Sequence, residues 1–262
     1  MFTFTTNVQA QGNPSANITD GHVYVNSKYL GAFELPITIP VLAQGVCNVT
    51  VIPGIRENGS AVNRKSVKIL KGFEVQVNLQ SNEIDTIQPT TTYRDNVVFA
   101  WIEDFEIGTF STESSTKNTT ADSVIIIDSS NVNAFKSPFS KYSAMVSIQA
   151  RDTQIFFEQH SKEKFIVPNK SADVYLELDY KTNIELQIGF YADKPTMYEQ
   201  IPFIYLSPTT EWKKIYLNLS IETSVLDANT PIQIFYGFLK AQGNKTLAPE
   251  VYLDNIKLSY LN

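Results

Sequence analysis

Aromatic, carboxylate and amide side chains alternate with apolar ones along several strand-like segments in the second half of the chain. Because successive side chains of a strand point to opposite faces, the apolar set is assigned to the core and the mixed set to the other face. We predict a ligand-binding face made of Tyr175, Glu177, Asp179, Gln187, Tyr191, Trp212, Tyr216 and Phe235. Flat rings can stack on a sugar ring while planar polar groups bond its hydroxyls. Alternatively, these rings are cross-strand pairs, or are covered by loops or by the first domain.

Enzymatic activity has little support in the sequence. Glu177 and Asp179 form an E-x-D pair that resembles the core of one jelly-roll hydrolase family, in which two carboxylates face each other across a cleft. That family requires a further glutamate three or four residues on, and here the next one is Glu185, beyond a predicted turn. The sequence contains no G-x-S-x-G motif, and its two histidines, His22 and His160, fit structural or solvated positions better. We therefore predict that the protein is not an enzyme.

Composition narrows the classes of partner and compartment. The formal net charge is -6, and no basic stripe is present that could neutralise phosphates, so we expect no nucleic acid partner. The single cysteine, Cys47, excludes an internal disulfide and a cysteine-based zinc site. No apolar run approaches the roughly 18 residues that a membrane helix needs. The chain starts directly with a strand-like segment, from which we expect a mature or trimmed product.

The elements that must position these side chains are strands, because period-2 alternation runs through most of the chain and helical periodicity is rare. A chain of 262 residues lies near the upper limit for one core, which favours two domains. The fold class predicted is all-β: a small β-sandwich over residues 1–92 and a jelly-roll sandwich over residues 93–262. A Pro- and Thr-rich segment, residues 88–92, is predicted to be an extended linker. Proteolysis there should release two stable pieces.

One carboxylate falls inside the apolar alternation of the last strand. Tyr252, Asp254, Ile256 and Leu258 are spaced two residues apart, so we assign Asp254 to the core face. A buried carboxylate must find a charge or several hydrogen-bond donors to offset its desolvation.

The first half resembles a PEGA-type domain. Residues 21–31 read GHVYVNSKYLG and lead to Pro36, and Gly45 and the strand at residues 49–54 follow. Such domains carry a hairpin with a two-residue turn, here Asn26-Ser27, with serine where the family usually has glycine. The resemblance implies a small PEGA-like, Ig-like sandwich.

The PEGA-like arrangement, followed by IRENG at residues 55–59 and WIEDFE at residues 101–106, resembles a group of Bacteroidota surface lipoproteins. This resemblance implies a lipid anchor upstream of this chain and an extracytoplasmic location, at the cell surface or the periplasmic face of the outer membrane.

The second half, with EDFE at residues 103–106 and VYLDNIKL at residues 251–258, resembles the galactose-binding-like jelly rolls of carbohydrate-binding modules. That resemblance implies a structural calcium at Asp254, with Asp104 and Glu106 as the further ligands, since calcium prefers oxygen. The alternative is that Asp254 accepts hydrogen bonds from backbone N–H groups.

From these residues and resemblances we expect a non-catalytic cell-surface binding protein that recognises a glycan. The alternative is an accessory lipoprotein subunit of an outer-membrane protein assembly. A glycan-binding protein should present an open aromatic pair, whereas a subunit should present a broad apolar patch.

Overall fold

A computed structural model describes residues 1–169 and 173–262. The prediction of an all-β fold with a jelly-roll sandwich is confirmed. The N-terminal module, residues 1–92, contains β1 (Thr3–Phe4), α1 (Val8–Gln11), β2 (Asp20–Val25), β3 (Lys28–Glu34), β4 (Gly45–Arg56), a 3₁₀ turn (Glu57–Gly59), β5 (Arg64–Ser66), β6 (Phe73–Leu79) and β7 (Thr90–Thr91). No helix among the described residues is long and apolar enough to span a membrane.

The N-terminal module is built on one five-stranded sheet, in which β4 pairs with β2, β5 and β6, and β3 pairs with β2. The β2–β3 hairpin turns at Asn26 and Ser27, whose φ angles of 49° and 65° are those of a type I′ turn. One face of the sheet buries Val23, Cys47 and Val49, and coil segments cover it in place of a complete second sheet. The other face of this sheet is open.

The C-terminal module, residues 93–262, is a sandwich of two antiparallel sheets. Its elements are β8 (Val97–Glu103), β9 (Thr112–Ser114), β10 (Ile125–Asp128), β11 (Tyr142–Ser147), β12 (Ile155–Ser161), β13 (Val174–Thr182), β14 (Leu186–Lys194), β15 (Met197–Leu206), β16 (Lys213–Asn218), α2 (Ser220–Ser224), β17 (Ile232–Lys240) and β18 (Glu250–Leu261). The first sheet runs β10-β11-β18-β13-β16, with β8 also on β18, and the second runs β15-β14-β17-β12-β9. Alternate residues of both sheets fill the core between them.

The two modules share a second apolar core. Ile18, Ile55 and Ile69 of the N-terminal module pack with Tyr175 and Tyr216, which lie on the outer face of the first sheet. The segment predicted to be a linker, residues 88–92, is part of the folded N-terminal module, because β7 pairs with β1. The backbone N–H of Arg94 also donates to the carbonyl of Ile69. The N-terminal module therefore lies directly on the sandwich.

A bulge in β18 changes the face assigned to Asp254. Asn255 has a positive φ of 51°, and the register of β13 against β18 shifts at this point. Leu253 and Ile256 both enter the sandwich core, so alternation is broken between them. The expectation that Asp254 shares a face with Ile256 is therefore wrong. Asp254 lies on the outer face of the first sheet, opposite Asp179.

Candidate functional site

The eight residues of the predicted ligand-binding face lie on two different sheets. Tyr175, Glu177, Asp179 and Tyr216 are on the outer face of the first sheet, and Trp212 immediately precedes its edge strand β16. The remaining three residues are on the outer face of the second sheet, on the far side of the sandwich: Gln187, Tyr191 and Phe235. They therefore cannot form one continuous face.

The residues on the first sheet are covered by the N-terminal module and by Tyr93, the first residue of the C-terminal module. Glu177 is fully buried, and both of its carboxylate oxygens accept hydrogen bonds of 3.0 Å from the Tyr93 hydroxyl. The Lys214 ammonium lies 3.5 Å from Glu177 and 3.9 Å from Asp179. Ser15 donates to Asp179 over 2.8 Å. A sugar cannot reach these groups in this arrangement, which corrects their predicted role as ligand contacts.

The same buried cluster contains an uncommon lysine. Lys257 is fully buried, and its ammonium donates to the backbone carbonyl of Asn13 over 2.7 Å. Burial lowers the pKa of Lys257 to about 7, although Glu177 nearby acts in the opposite direction. Burial likewise raises the pKa of Asp179, against the opposing effect of Lys214. Tyr93, Glu177, Asp179, Lys214 and Lys257 are together called the interface cluster below.

Trp212 is not an open stacking platform. Its indole N–H donates to the carbonyl of Asn133 over 2.9 Å, and Phe135 packs edge-on with ring centroids 5.2 Å apart. Tyr252 lies on its other flank at 6.4 Å. The ring is half-buried, and its position matches the alternative reading of a ring covered by loops.

The second sheet carries an open cleft of about 330 Å³. The rings of Tyr191 and Tyr198 form its wall, stacked with centroids 4.7 Å apart and planes 8° from parallel. The lining residues are Ser115, Thr116, Lys117, His160, Tyr191, Tyr198 and Gln200, which we call the tyrosine cleft. Tyr191 is almost fully covered by its neighbours, whereas Tyr198 is 46% exposed.

A buried carboxylate fixes the polar groups at the base of this cleft. Glu158 accepts hydrogen bonds from the Tyr191 hydroxyl over 2.6 Å and from the Gln200 amide over 2.8 Å. Because the hydroxyl gives its one proton to Glu158, its oxygen accepts from the Lys117 ammonium, 3.1 Å away. Burial and this carboxylate raise the pKa of Tyr191, and burial raises that of Tyr198 to about 12. Both tyrosines therefore stay neutral.

The face continues from the cleft to a second exposed ring. Tyr205 is 57% exposed, and its hydroxyl accepts from the Gln187 amide over 2.7 Å. Gln187 pairs with Gly237, which in turn pairs with Glu158. Phe235, predicted as a ligand contact, is fully buried in the neighbouring row.

Several residues of this face were absent from the sequence prediction: Lys117, Glu158, Tyr198, Gln200 and Tyr205. Three of them lie on β15, where the register against β14 shifts at Ile188 and Gly189. Residues 197–206 read MYEQIPFIYL, in which Glu199 has the same parity as Met197 and Ile201, so no simple alternation marks Tyr198 and Gln200.

The predicted calcium ligands are only partly brought together. The Ser140 hydroxyl lies 2.8 Å from Asp254, 3.4 Å from Glu106 and 3.1 Å from the carbonyl of Tyr142. Because Ser140 has a single hydroxyl proton, it cannot donate to all three of these oxygens at once. Asp104 instead caps its own turn at the N–H of Glu106. The described part of the chain contains no group of three or more Asp, Glu, His or Cys side chains that could hold a metal ion.

Comparisons with known proteins give similarity to solved structures alone. No protein-family model and no curated protein matches the chain. A family 11 carbohydrate-binding module from Clostridium thermocellum, in complex with a β-1,3-1,4-mixed-linked tetrasaccharide, has 16% identity and a TM-score of 0.41, covering 62% of this chain and 94% of that one. The module TmCBM61, in complex with β-1,4-galactotriose, has 15% identity and a TM-score of 0.38, covering 59% and 92%.

A third similar structure is the K2 cleaved adhesin domain of Lys-gingipain, with 10% identity and a TM-score of 0.40, covering 60% of this chain and 98% of that one. Similarity at this level decides neither the fold nor the ligand of this chain. The fold is established by the strands and sheets described above.

Proposed function

We propose that the protein is a non-catalytic saccharide-binding protein whose binding face is the outer face of the second sheet. The observation that carries this proposal is the tyrosine cleft, in which a stacked ring pair stands beside fixed amide, hydroxyl and ammonium groups. Glu158 holds Tyr191 and Gln200 in place, so these groups lose little conformational freedom when a ligand binds. Tyr205 supplies a second exposed ring further along the face.

The same geometry favours binding over glycoside hydrolysis. Hydrolysis needs a pair of carboxylates, one acid and one base or nucleophile, on either side of the scissile bond. Glu158 is buried to 1% exposure and already accepts two hydrogen bonds. The E-x-D pair at Glu177 and Asp179 is closed off by Tyr93 and by Ser15 of the N-terminal module. Tyr198, with a pKa of about 12, is a poor general base near neutral pH.

A glycan array with the wild-type chain and single-ring variants tests the proposal. We expect Tyr205→Ala and Tyr198→Ala each to weaken binding roughly tenfold, because an aromatic contact is worth about 0.5–1.5 kcal/mol beyond its area and about 1.4 kcal/mol is tenfold. Ile125→Ala, at an exposed apolar residue of the first sheet, is the control and should bind as wild type. Absence of binding to any glycan by the wild-type chain would refute the proposal.

A structural calcium is a separate proposal. Asp254, Glu106, the Ser140 hydroxyl and the Tyr142 carbonyl offer oxygen ligands of the kind that calcium prefers. Calcium would keep Asp254 ionised, which burial otherwise opposes.

Calorimetry with and without calcium tests that proposal. At a free concentration of 100 times Kd, one site adds about 2.7 kcal/mol, so Tm should rise with calcium and the rise should vanish in Asp254→Asn. If the protein binds no calcium, its stability should instead depend on pH through Asp254. Burial raises the pKa of Asp254 to about 8, so without a cation its stabilising contribution is complete below about pH 4 and is lost as the pH rises towards 8. Asp254→Asn would then raise Tm at pH 8, and calcium would have no effect.

We propose an extracytoplasmic, cell-surface location on the resemblance of the sequence alone. The lipid anchor and the accessory-subunit alternative rest on the same resemblance. If the wild-type chain binds no glycan and is instead recovered with outer-membrane proteins, the subunit alternative gains support.

A further inference from the structure

We infer that the N-terminal module carries a second, independent saccharide site, on the open face of its five-stranded sheet. The site is a pocket of about 400 Å³ next to the β2–β3 hairpin. Its lining residues are Ser27, Asn48, Val49, Thr50, Glu74, Val75 and Gln76, which we call the hairpin pocket. It is separate from the tyrosine cleft, since the two lie in different modules.

Strand register puts the polar side chains of this pocket side by side. Thr50 of β4 pairs with Glu74 of β6, and Asn48 pairs with Gln76 two residues further along. Directly opposed side chains of antiparallel strands lie on the same face, roughly 5 Å apart. Two amides, a hydroxyl and a carboxylate therefore form one continuous polar floor.

These groups are free to bond a ligand. Within the described residues, the side chains of Asn48, Thr50, Glu74 and Gln76 make no hydrogen bond to another protein group. Tyr191 and Gln200 of the tyrosine cleft, in contrast, already donate to Glu158. A hydroxyl-rich molecule offers both the donors and the acceptors that such a floor can use. The pocket thus matches a ligand that exposes many hydroxyl groups.

A ring pair borders the same floor and supplies the apolar contact that a sugar needs. Tyr24 pairs across the sheet with Thr50 on one side and with Tyr29 on the other. The two tyrosine rings lie 4.9 Å apart between centroids, and Tyr29 is 49% exposed. His22 hydrogen-bonds the Tyr29 hydroxyl over 3.2 Å and so limits the rotation of that ring.

Charge narrows the ligand class to neutral saccharides. Glu74 is exposed, and no Lys or Arg among the described residues lies within 4.0 Å of it. Its carboxylate would repel a uronic acid or a sulfated sugar placed on the same floor. A neutral oligosaccharide meets no such cost.

Amide chemical-shift mapping of the full chain tests this site, with cellohexaose, β-1,4-galactotriose and mannohexaose as probes. At least one probe should shift the amides of residues 24, 48–50 and 74–76 in a saturable way. Tyr29→Ala and Gln76→Ala should each weaken that response roughly tenfold. Ile125→Ala, at an exposed residue of β10, should leave it unchanged, and the Tm of each variant reports on folding.

The two proposed sites can fail separately. Shifts confined to residues 158, 191, 198 and 200 would overturn the hairpin pocket and leave the tyrosine cleft supported. Shifts at the hairpin pocket that persist in both Tyr29→Ala and Gln76→Ala would also overturn it. Shifts at the hairpin pocket alone would support it and count against the tyrosine cleft.

Discussion

The two modules should unfold in a single transition. Cys47 is the only cysteine and is buried in the N-terminal module, whereas Trp101 and Trp212 both belong to the C-terminal module. Thiol labelling therefore reports on the N-terminal module, and tryptophan fluorescence reports on the sandwich. We expect the two probes to give the same urea midpoint, because the modules share an apolar core and are joined by buried hydrogen bonds from Ser15 to Asp179 and from Lys257 to Asn13.

Deleting residues 1–88 should show that the stability of the sandwich depends on the N-terminal module. The deletion exposes Tyr175 and Tyr216, each roughly 2 kcal/mol of lost apolar burial, and leaves the interface cluster without its partners Asn13 and Ser15. Stabilities of whole domains are only about 5–15 kcal/mol. We therefore expect the fragment to aggregate or to unfold at a much lower urea concentration than the full chain.

A chain nicked near residue 92 gives the matched control, because it retains every contact. The pieces should stay together in gel filtration without denaturant, rather than separating into two stable domains as expected from the sequence. Labelling of Cys47 at a urea concentration that leaves the fluorescence native would contradict the shared core. So would a soluble fragment of residues 89–262 with the midpoint of the full chain.

Local alternation predicted the face of most side chains correctly, because it depends on neighbours in the sequence. Tyr175, Glu177 and Asp179 do lie opposite the core-facing residues of β13, and Tyr191 lies opposite those of β14. What alternation could not supply is the sheet to which each strand belongs. Which strands share a sheet depends on long-range pairing, here β13 with β18 and β14 with β17. The predicted ligand-binding face therefore combines residues from two opposite faces of the sandwich.

The remaining errors follow from irregular backbone. A positive φ at Asn255 reverses the alternation of β18 and moves Asp254 to the other face, and asparagine adopts that conformation only at some of its positions. The cover over Glu177 and Asp179 comes from residues more than eighty positions earlier in the chain, such as Tyr93 and Ser15. The sequence pattern within β13 carries no information about these contacts.

The largest effect of a single substitution should come from Lys214. Its ammonium is the closest cation to both Glu177 and Asp179, and all three side chains are almost completely buried. Lys214→Met keeps the apolar stem and removes the charge, so two buried carboxylates lose their nearest cation. Breaking a buried ion pair in this way costs roughly 3–5 kcal/mol. Urea unfolding followed by tryptophan fluorescence measures the loss.

The neighbouring residue, Lys213, provides the control for Lys214. Lys213 is on the same strand but exposed, and Lys213→Met should change stability by no more than about 0.5 kcal/mol. Glu177→Gln should also destabilise, and in the double variant with Lys214→Met the two losses should sum to more than the measured total, since the second change removes a partner already lost. A stability of Lys214→Met equal to that of Lys213→Met would mean that the remaining partners suffice, the Tyr93 hydroxyl for Glu177 and the Ser15 hydroxyl and Asn255 amide for Asp179.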